Sequence, residues 1–405
     1  MYISNKLSND SLLNPKRPLI FVPGIRTSKL AIRKENGSLE HFWPLMPHEF
    51  LIKAKLDRVF HYLETNIRLK TDDNYDDDDD DIKVVATGLI PFAYDGLIKS
   101  ILTWGYKPNL DFWIFPYDWR QSNRISGHLL TKFIEEKTEG KRCDDGVDII
   151  SHSMGGIIAR AASLNGAPIR RAAYIACPHL GSPLAYFILH PQIDSRRFIG
   201  SAYHNYPPST YWQPPNNDNE TNDNIERKKT LYHRRKELFV KFPSMYELLP
   251  DESYLRNRAI LLTDGKPESG AEDTYLKNDW AFKEKEMRSG VINAMEFKRE
   301  LGEEFPQQDV LLVCGTKQLT CDTIHYRTSY HVSITERRPI YLMQQGFSLP
   351  YDSGQGGDGY VPVTSAMGSI SGTPVYNHSV FVPEAHTVLS NAKATIDAIT
   401  RFLAV

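Results

Sequence analysis

Residues Val147–Gly156, VDIISHSMGG, carry a short apolar run directly into two serines, a histidine and two glycines. Val147, Ile149 and Ile150 are β-branched, which suits a buried strand, and the small residues after them suit a sharp turn into a helix. A serine at such a turn is pushed out at the end of the sheet, because only small neighbours let the backbone double back so tightly. Ser153 is therefore the candidate nucleophile. The usual form of the turn is G-x-S-x-G; here Ser151 stands at the first glycine position and is still small. Glycine and serine at about 7% each produce the strict pattern by chance roughly once in seven chains of this length, so the surroundings decide. A turn in which Ser153 only caps a helix leaves unexplained the apolar strand aimed at it.

Outward from the turn, strands and helices alternate. PLIFVPG (18–24) reads as a buried strand entering a Pro-Gly turn, GLIKSILTWGY as a helix, and DFWIF as a strand. Ile125, Leu129, Leu130, Phe133 and Ile134 line one face of a second helix. After the serine come the helix GGIIARAASL, the strand AAYIAC, the turn PHLGSP, the strand DVLLVCGT and a closing helix LSNAKATIDAITRFL. This alternation predicts an α/β fold, a mostly parallel sheet with helices on both faces. Right-handed crossovers then gather the C-terminal strand ends at one edge, where open α/β sheets bind ligands. Three stretches interrupt the pattern: about 35–85, 187–245 and 262–308. All three read as irregular, and the second is too long and too rich in Pro, Asn and aromatics for an ordinary connection, so it reads as a lid. The expected organisation is one domain over 1–405 with these three insertions.

The chain has 405 residues, 41% apolar and 24% charged, with a formal charge of -2, so no global field recruits nucleic acid. The first twenty residues lack the basic start and apolar core of a signal peptide, and no apolar run reaches bilayer length. The expected location is cytoplasmic, with peripheral contact to a membrane surface left open. Cys143, Cys177, Cys314 and Cys321 form neither a disulfide framework nor paired metal-ligand spacing. Asp76 to Asp81 are unspaced carboxylates without the alternating ligands and turn glycine of a calcium loop, and read as a solvated loop. The basic run Arg227 to Lys236 reads as a solvated helix face, with anionic headgroups as the alternative. No metal or organic cofactor is expected.

A serine hydroxyl needs a base, and in this architecture an acid and then the base follow the nucleophile in chain order. Asp358, bracketed by glycines in SGQGGDGYVPVTSA, is the candidate acid, with Asp352 as the alternative. His386, in a turn ahead of the last helix, is the candidate base; His378, at the start of an alternating strand, reads as structural. His152 adjoins the serine but should point away from its hydroxyl, and a supporting role suits it better. The oxyanion needs two N–H donors. The backbone N–H of Met154 at the helix start and that of Ile25 after the first strand are the candidates.

With these residues placed, the chain resembles the lecithin:cholesterol acyltransferase-like family, a branch of the α/β-hydrolases that includes lysosomal phospholipases and phospholipid:diacylglycerol acyltransferases. The resemblance runs through PLIFVPGIRTSKL, PFAYDGLIKSILTWGYKPNLDFWIFPYDWRQSN, DIISHSMGGIIAR, YIACPHLGSPLA, FPSMYELLP, GGDGYVPVTSA and EAHTVLSN, about residues 18 to 391. It implies an α/β-hydrolase fold with cap or lid insertions. It also implies Ser153 as nucleophile, Asp358 as acid, His386 as base and the turn after Pro23-Gly24 as oxyanion loop. Tyr117-Asp118-Trp119-Arg120 reads as a structural turn. The chain departs from the family in having no cysteine before Cys143, where secreted animal members close a lid loop with a disulfide. It departs again at Tyr360, where the family usually has threonine. The implied activity is transfer of an acyl group from a lipid ester through an acyl-serine, to water as a lipase or phospholipase, or to an alcohol as an acyltransferase. A small-ester carboxylesterase on the same scaffold and an inactive lipid-binding α/β-hydrolase are the rival expectations.

Overall fold

A computed structural model describes residues 17–44, 53–64, 84–139, 146–189, 237–257, 261–263, 266–267, 275–276, 284–302, 304–307, 309–318, 320–332, 337–348, 356–368 and 378–403. Its strands are β1 (Leu19–Val22), β2 (Ser28–Arg33), β3 (Leu39–Trp43), β4 (Val84–Leu89), β5 (Phe112–Ile114), β6 (Val147–His152), β7 (Ile169–Ile175), β8 (Leu261–Thr263), β9 (Lys266–Pro267), β10 (Asp309–Gly315), β11 (Thr320–Val332), β12 (Arg337–Ser348) and β13 (Ser379–Val382). The helices that matter for the site are α1 (Lys53–Glu64), α2 (Asp95–Thr103), α3 (Asn123–Thr138) and α4 (Gly155–Leu164).

Six strands lie side by side in the order β13-β10-β7-β6-β1-β5, every pairing parallel. Successive side chains on a strand face opposite ways, and here they enter two separate cores. Ile20, Val22, Ile149, Ala172, Tyr174, Val310 and Leu312 pack on one face with Leu130 and Ile134 of α3 and Ile158 of α4. Their neighbours Leu19, Phe21, Ile150, Ala173, Ile175, Leu311 and Val313 pack on the other with Leu97 and Ile101 of α2 and Ile399 of the helix Lys393–Leu403. Both faces are therefore covered, which is why these strands read as continuous apolar runs rather than alternating ones. The expected parallel sheet between two helical layers is the observed arrangement.

One buried ion pair interrupts the apolar strands. Asp148 of β6 lies opposite Arg171 of β7, and the carboxylate takes both Nε (3.0 Å) and Nη2 (2.6 Å) of the guanidinium. The same guanidinium donates to the carbonyls of Phe402 and Leu403, tying the end of the helix Lys393–Leu403 to the sheet. Arg171 thus compensates both an anion and helix-end carbonyls.

Two smaller sheets flank the main one: β3-β2-β4, antiparallel, and β12-β11-β8-β9, whose core is the long hairpin of β11 and β12. The sequence expectations for two insertions need correction here. The stretch 35–85 is not simply irregular, since it contains β3, α1 and the start of β4. The stretch 262–308 contains a helix, Lys285–Leu301, which buries Met287, Val291, Ala294, Met295 and Leu301 at helical spacing. Asp76 to Asp81, residues 190–236 of the expected lid including the basic run, Cys143 and Asp352 lie outside the described residues. Among the described residues no helix is long and apolar enough to cross a membrane.

Candidate active site

Because the strands of the main sheet are parallel, Val22, His152, Ile175, Gly315 and Val382 all end at one edge, and the chemistry-bearing loops leave from there. β6 stops at His152 and α4 starts at Gly155, leaving Ser153 at φ 54°. Positive φ is unusual for a residue with a side chain and fits a tight strand-to-helix turn. Ser153 N–H donates to Ile175 O at 2.9 Å, so the end of β7 holds the turn. The glycines after it make room. A Cβ on Gly156 would sit 2.2 Å from Cys177 Sγ, and one on Gly155 2.5 Å from the carbonyl oxygens of Val22 and Pro23. Ser151, at the position of the usual first glycine, fits because it is small and its hydroxyl finds Ala173 O at 3.5 Å.

The loops after β10 and β13 bring two further residues to Ser153. His386 Nε2 lies 2.9 Å from Ser153 Oγ, and His386 Nδ1 lies 2.7 Å from Asp358 Oδ2. Carboxylate oxygens accept, so the Nδ1 proton points at Asp358 and the Nε2 lone pair faces the serine hydroxyl. The other oxygen, Oδ1, accepts from the N–H groups of Tyr360 (2.9 Å) and Val361 (2.7 Å), which keeps the carboxyl from rotating. Asp358 reaches this position because the chain departs past Gln318 and returns at Gly357, where the two pair as a bridge. Gly315 permits the return, since a Cβ there would lie 2.4 Å from Asp358 Cβ. His378 sits at the other end of β13 from His386, is exposed, and packs edge-on to Phe402.

Ser153 and His386 are each 6% exposed and Asp358 1%, so the three are shielded from bulk water even though the hydroxyl ends the row. Such an arrangement can pass a proton from Oγ to an imidazole whose resulting charge faces a fixed carboxylate. Tyr360, the residue that departs from the resembled family, lays its ring against His386 with centroids 5.1 Å apart at 28°.

His152 points away from the hydroxyl. Its Nδ1 lies 2.9 Å from Tyr94 Oη and its Nε2 3.1 Å from the carbonyl of His386. Burial, and then the neighbouring His386 ring, hold its pKa well below that of free histidine. Burial pushes the Tyr94 phenol up to about 12. Both side chains are therefore neutral at physiological pH.

Met154 and Ile25 flank the serine from the helix start and from the turn after β1. That turn is close: a Cβ on Gly24 would lie 3.1 Å from Ser153 Cβ. Among the described residues neither the Ile25 nor the Met154 N–H has a hydrogen-bond acceptor. Tyr94, which sequence reasoning did not single out, and Tyr117, from the block read as structural, hold the turn. The hydroxyl of Tyr117 donates to Pro23 O at 3.0 Å, and Gly24 N–H donates to Tyr94 Oη at 2.8 Å. Periodicity could not find Tyr94, whose partners lie 58 and 70 residues away. Its only local signal is a side chain at a helix N-cap position that does not cap. Among the described residues no group of three or more His, Cys, Asp or Glu is placed to hold a metal ion.

Comparison with known proteins gives a consistent picture. Residues 83–190 match the family model for lecithin:cholesterol acyltransferase. Lecithin-cholesterol acyltransferase-like 4 of Arabidopsis thaliana is 26% identical over 216 residues, which cover 47% of this chain and 38% of that protein. Uncharacterized protein YJR098C of Saccharomyces cerevisiae is 36% identical over 85 residues, 20% of this chain and 13% of that protein. The matches therefore span well under half the length of both relatives. A chain of "The crystal structure of Tle4-Tli4 complex" superposes with a TM-score of 0.52 at 14% identity, covering 96% of this chain and 98% of that one, a likeness of fold alone.

Proposed function

From this lecithin:cholesterol acyltransferase-like chain we propose a serine-dependent lipid acyltransferase or lipid ester hydrolase. The observation that carries the reading is the hydrogen-bonded row Asp358–His386–Ser153 at the carboxyl edge of the sheet. In the proposed reaction His386 Nε2 takes the proton of Ser153 Oγ as the oxygen attacks the ester carbonyl. The carbonyl π pair moves onto oxygen, and the N–H groups of Ile25 and Met154 stabilise that oxyanion, roughly 3–4 kcal/mol per donor in comparable sites. Collapse breaks the ester C–O bond, and His386 returns the proton to the leaving alkoxide. Water or an alcohol then attacks the acyl-serine with His386 again as base, releasing a fatty acid or a new ester. A shielded serine favours an alcohol acceptor to the extent that water stays out.

The test is incubation of the full chain with phosphatidylcholine vesicles, with and without a long-chain alcohol, reading products by mass spectrometry alongside labelling by a fluorophosphonate. Fatty ester formed at the expense of free fatty acid identifies an acyltransferase, and free fatty acid alone a hydrolase. Absence of both products together with absence of labelling would overturn the reading.

A further inference from the structure

In the turn after β1, two tyrosines take up the polar groups of the peptide that precedes Ile25. Pro23 has no N–H, its carbonyl accepts from Tyr117, and Gly24 N–H is taken by Tyr94. The Gly24 carbonyl accepts from Thr27 Oγ1 at 2.5 Å. The Pro23–Gly24 peptide is thus held at both polar ends, and the next N–H, that of Ile25, has no acceptor among the described residues. Unmatched backbone donors inside folded proteins are few, and this one lies in a half-buried turn.

Tyr94 continues the chain of bonds. The His386 carbonyl can only accept, so His152 Nε2 carries the proton across 3.1 Å. The neutral ring then has its lone pair at Nδ1, and the Tyr94 hydroxyl must donate to it across 2.9 Å. The bonds run in one sense: Gly24 N–H to Tyr94 O–H, on to His152 Nδ1, and from His152 Nε2–H to the His386 carbonyl. The His386 N–H in turn donates to Asp358 O at 2.9 Å, so its backbone is gripped from both sides. The Tyr94 ring is braced edge-on against Phe21 of β1, centroids 4.7 Å apart. Tyr94 and His152 therefore join the loop of Ile25, the turn of Ser153 and the loop of His386 without touching the serine hydroxyl.

We propose that Tyr94 and His152 are positioning residues that hold the Ile25 N–H and the His386 imidazole in mutual register about Ser153. This inference rests on the serine-dependent reading given above. Two ordinary core residues would contribute stability alone, whereas a coupling of two loops contributes to turnover, because misplacement on the order of 1 Å costs about 10²-fold.

The experiment uses the full chain and a chromogenic short-chain p-nitrophenyl ester. Tyr94→Phe removes one hydroxyl and should lower kcat about tenfold to a hundredfold while KM stays within about twofold. Tyr246→Phe removes a single hydroxyl bond, 2.7 Å to Val240 O, that involves none of the residues joined by Tyr94. It should cost comparable thermal stability and leave kcat at the wild-type value. At position 152, Gln keeps a donor and an acceptor and should retain more activity than Ala. The inference is overturned if Tyr94→Phe keeps wild-type kcat, if Tyr246→Phe loses as much, or if Gln and Ala at 152 are equal. Should Tyr94→Phe fail to fold, the Gln and Ala pair decides. If wild type neither turns over an ester nor reacts with a fluorophosphonate, the serine reading itself fails and takes this inference with it.

Discussion

Ionisable side chains are buried both at the sheet edge around Ser153 and in the bracket that joins α1 and α3 to the turn Phe242–Glu247. In the bracket, Arg120 Nε and Nη2 grip the two oxygens of Asp118 (2.8 and 2.6 Å), and Nη1 reaches the carbonyls of Tyr62 and Leu63 at the end of α1. Glu247 accepts from Ser122 Oγ at 2.5 Å and from Asn123 N–H at 2.6 Å at the start of α3. Ser244 Oγ donates to Trp119 O at 2.7 Å. These groups are fastened to helix ends, and no proton there faces a free base. At the sheet edge the serine proton faces an imidazole lone pair, and two N–H groups have no acceptor among the described residues.

The comparison breaks first at Ser153. Ser153→Ala should lower ester turnover at least about 10⁴-fold, because members of a nucleophile–base unit fail together. Stability to heat should change by only about 1 kcal/mol, since the lost atom makes one hydrogen bond. Retained turnover would remove the serine from the mechanism. Arg120→Ala should do the opposite. Deleting one partner of a buried pair strands the other, at a cost of about 3–5 kcal/mol. Unfolding midpoints in urea would register that loss, and activity per folded molecule should stay close to wild type. If activity collapsed without loss of stability, the bracket would belong to the site.

The two regions also differed in how far the sequence exposed them. β6 and its turn were legible because a fully buried parallel strand is a run of β-branched residues, and the turn needs small ones. Chain order separated His386 from His378 because parallel strands put their C-terminal ends together, so a histidine after β13 reaches Ser153 and one before it does not. The bracket was legible only as a block of letters. Nothing local links Glu247 to Ser122, 125 residues away. The helix Lys285–Leu301 was hidden by its charges and by Gly290, which reads as a breaker. In the structure that glycine accommodates Tyr246, whose ring a Cβ would meet at 2.8 Å. Tyr94 was missed for the same physical reason as Glu247: a hydrogen bond across the fold leaves no periodicity.

A finer test of the bracket uses pH. Burial pushes the Glu247 carboxyl up from 4.5 to about 7, against the lowering effect of its bonds to Ser122 and Asn123. Between these limits the folded chain keeps a proton that the unfolded chain has released, so this group's contribution is full below pH 4.5 and falls as pH rises towards 7. The loss is on the order of 3 kcal/mol. Glu247→Gln should remove that component, seen as a flatter dependence of the urea midpoint on pH; equal slopes would show that the carboxyl is not the titrating group.

The smallest effect is expected at His378, and its smallness separates the two histidines flanking β13. The His378 side chain is exposed and its ring makes one edge contact, 6.2 Å from Phe402. Its carbonyl accepts from Leu312 N–H at 2.9 Å, a bond of the backbone that any residue keeps. His378→Ala should therefore change stability by no more than about 0.5 kcal/mol and leave turnover intact. His386→Ala removes the group lying between Asp358 and Ser153 and should match Ser153→Ala. The side-by-side assay of the two alanine variants, with unfolding midpoints recorded, checks this directly. A large loss at 378 with activity surviving at 386 would mean that the base reaches the serine from the other end of the strand, which the parallel pairing of β10 and β13 does not allow.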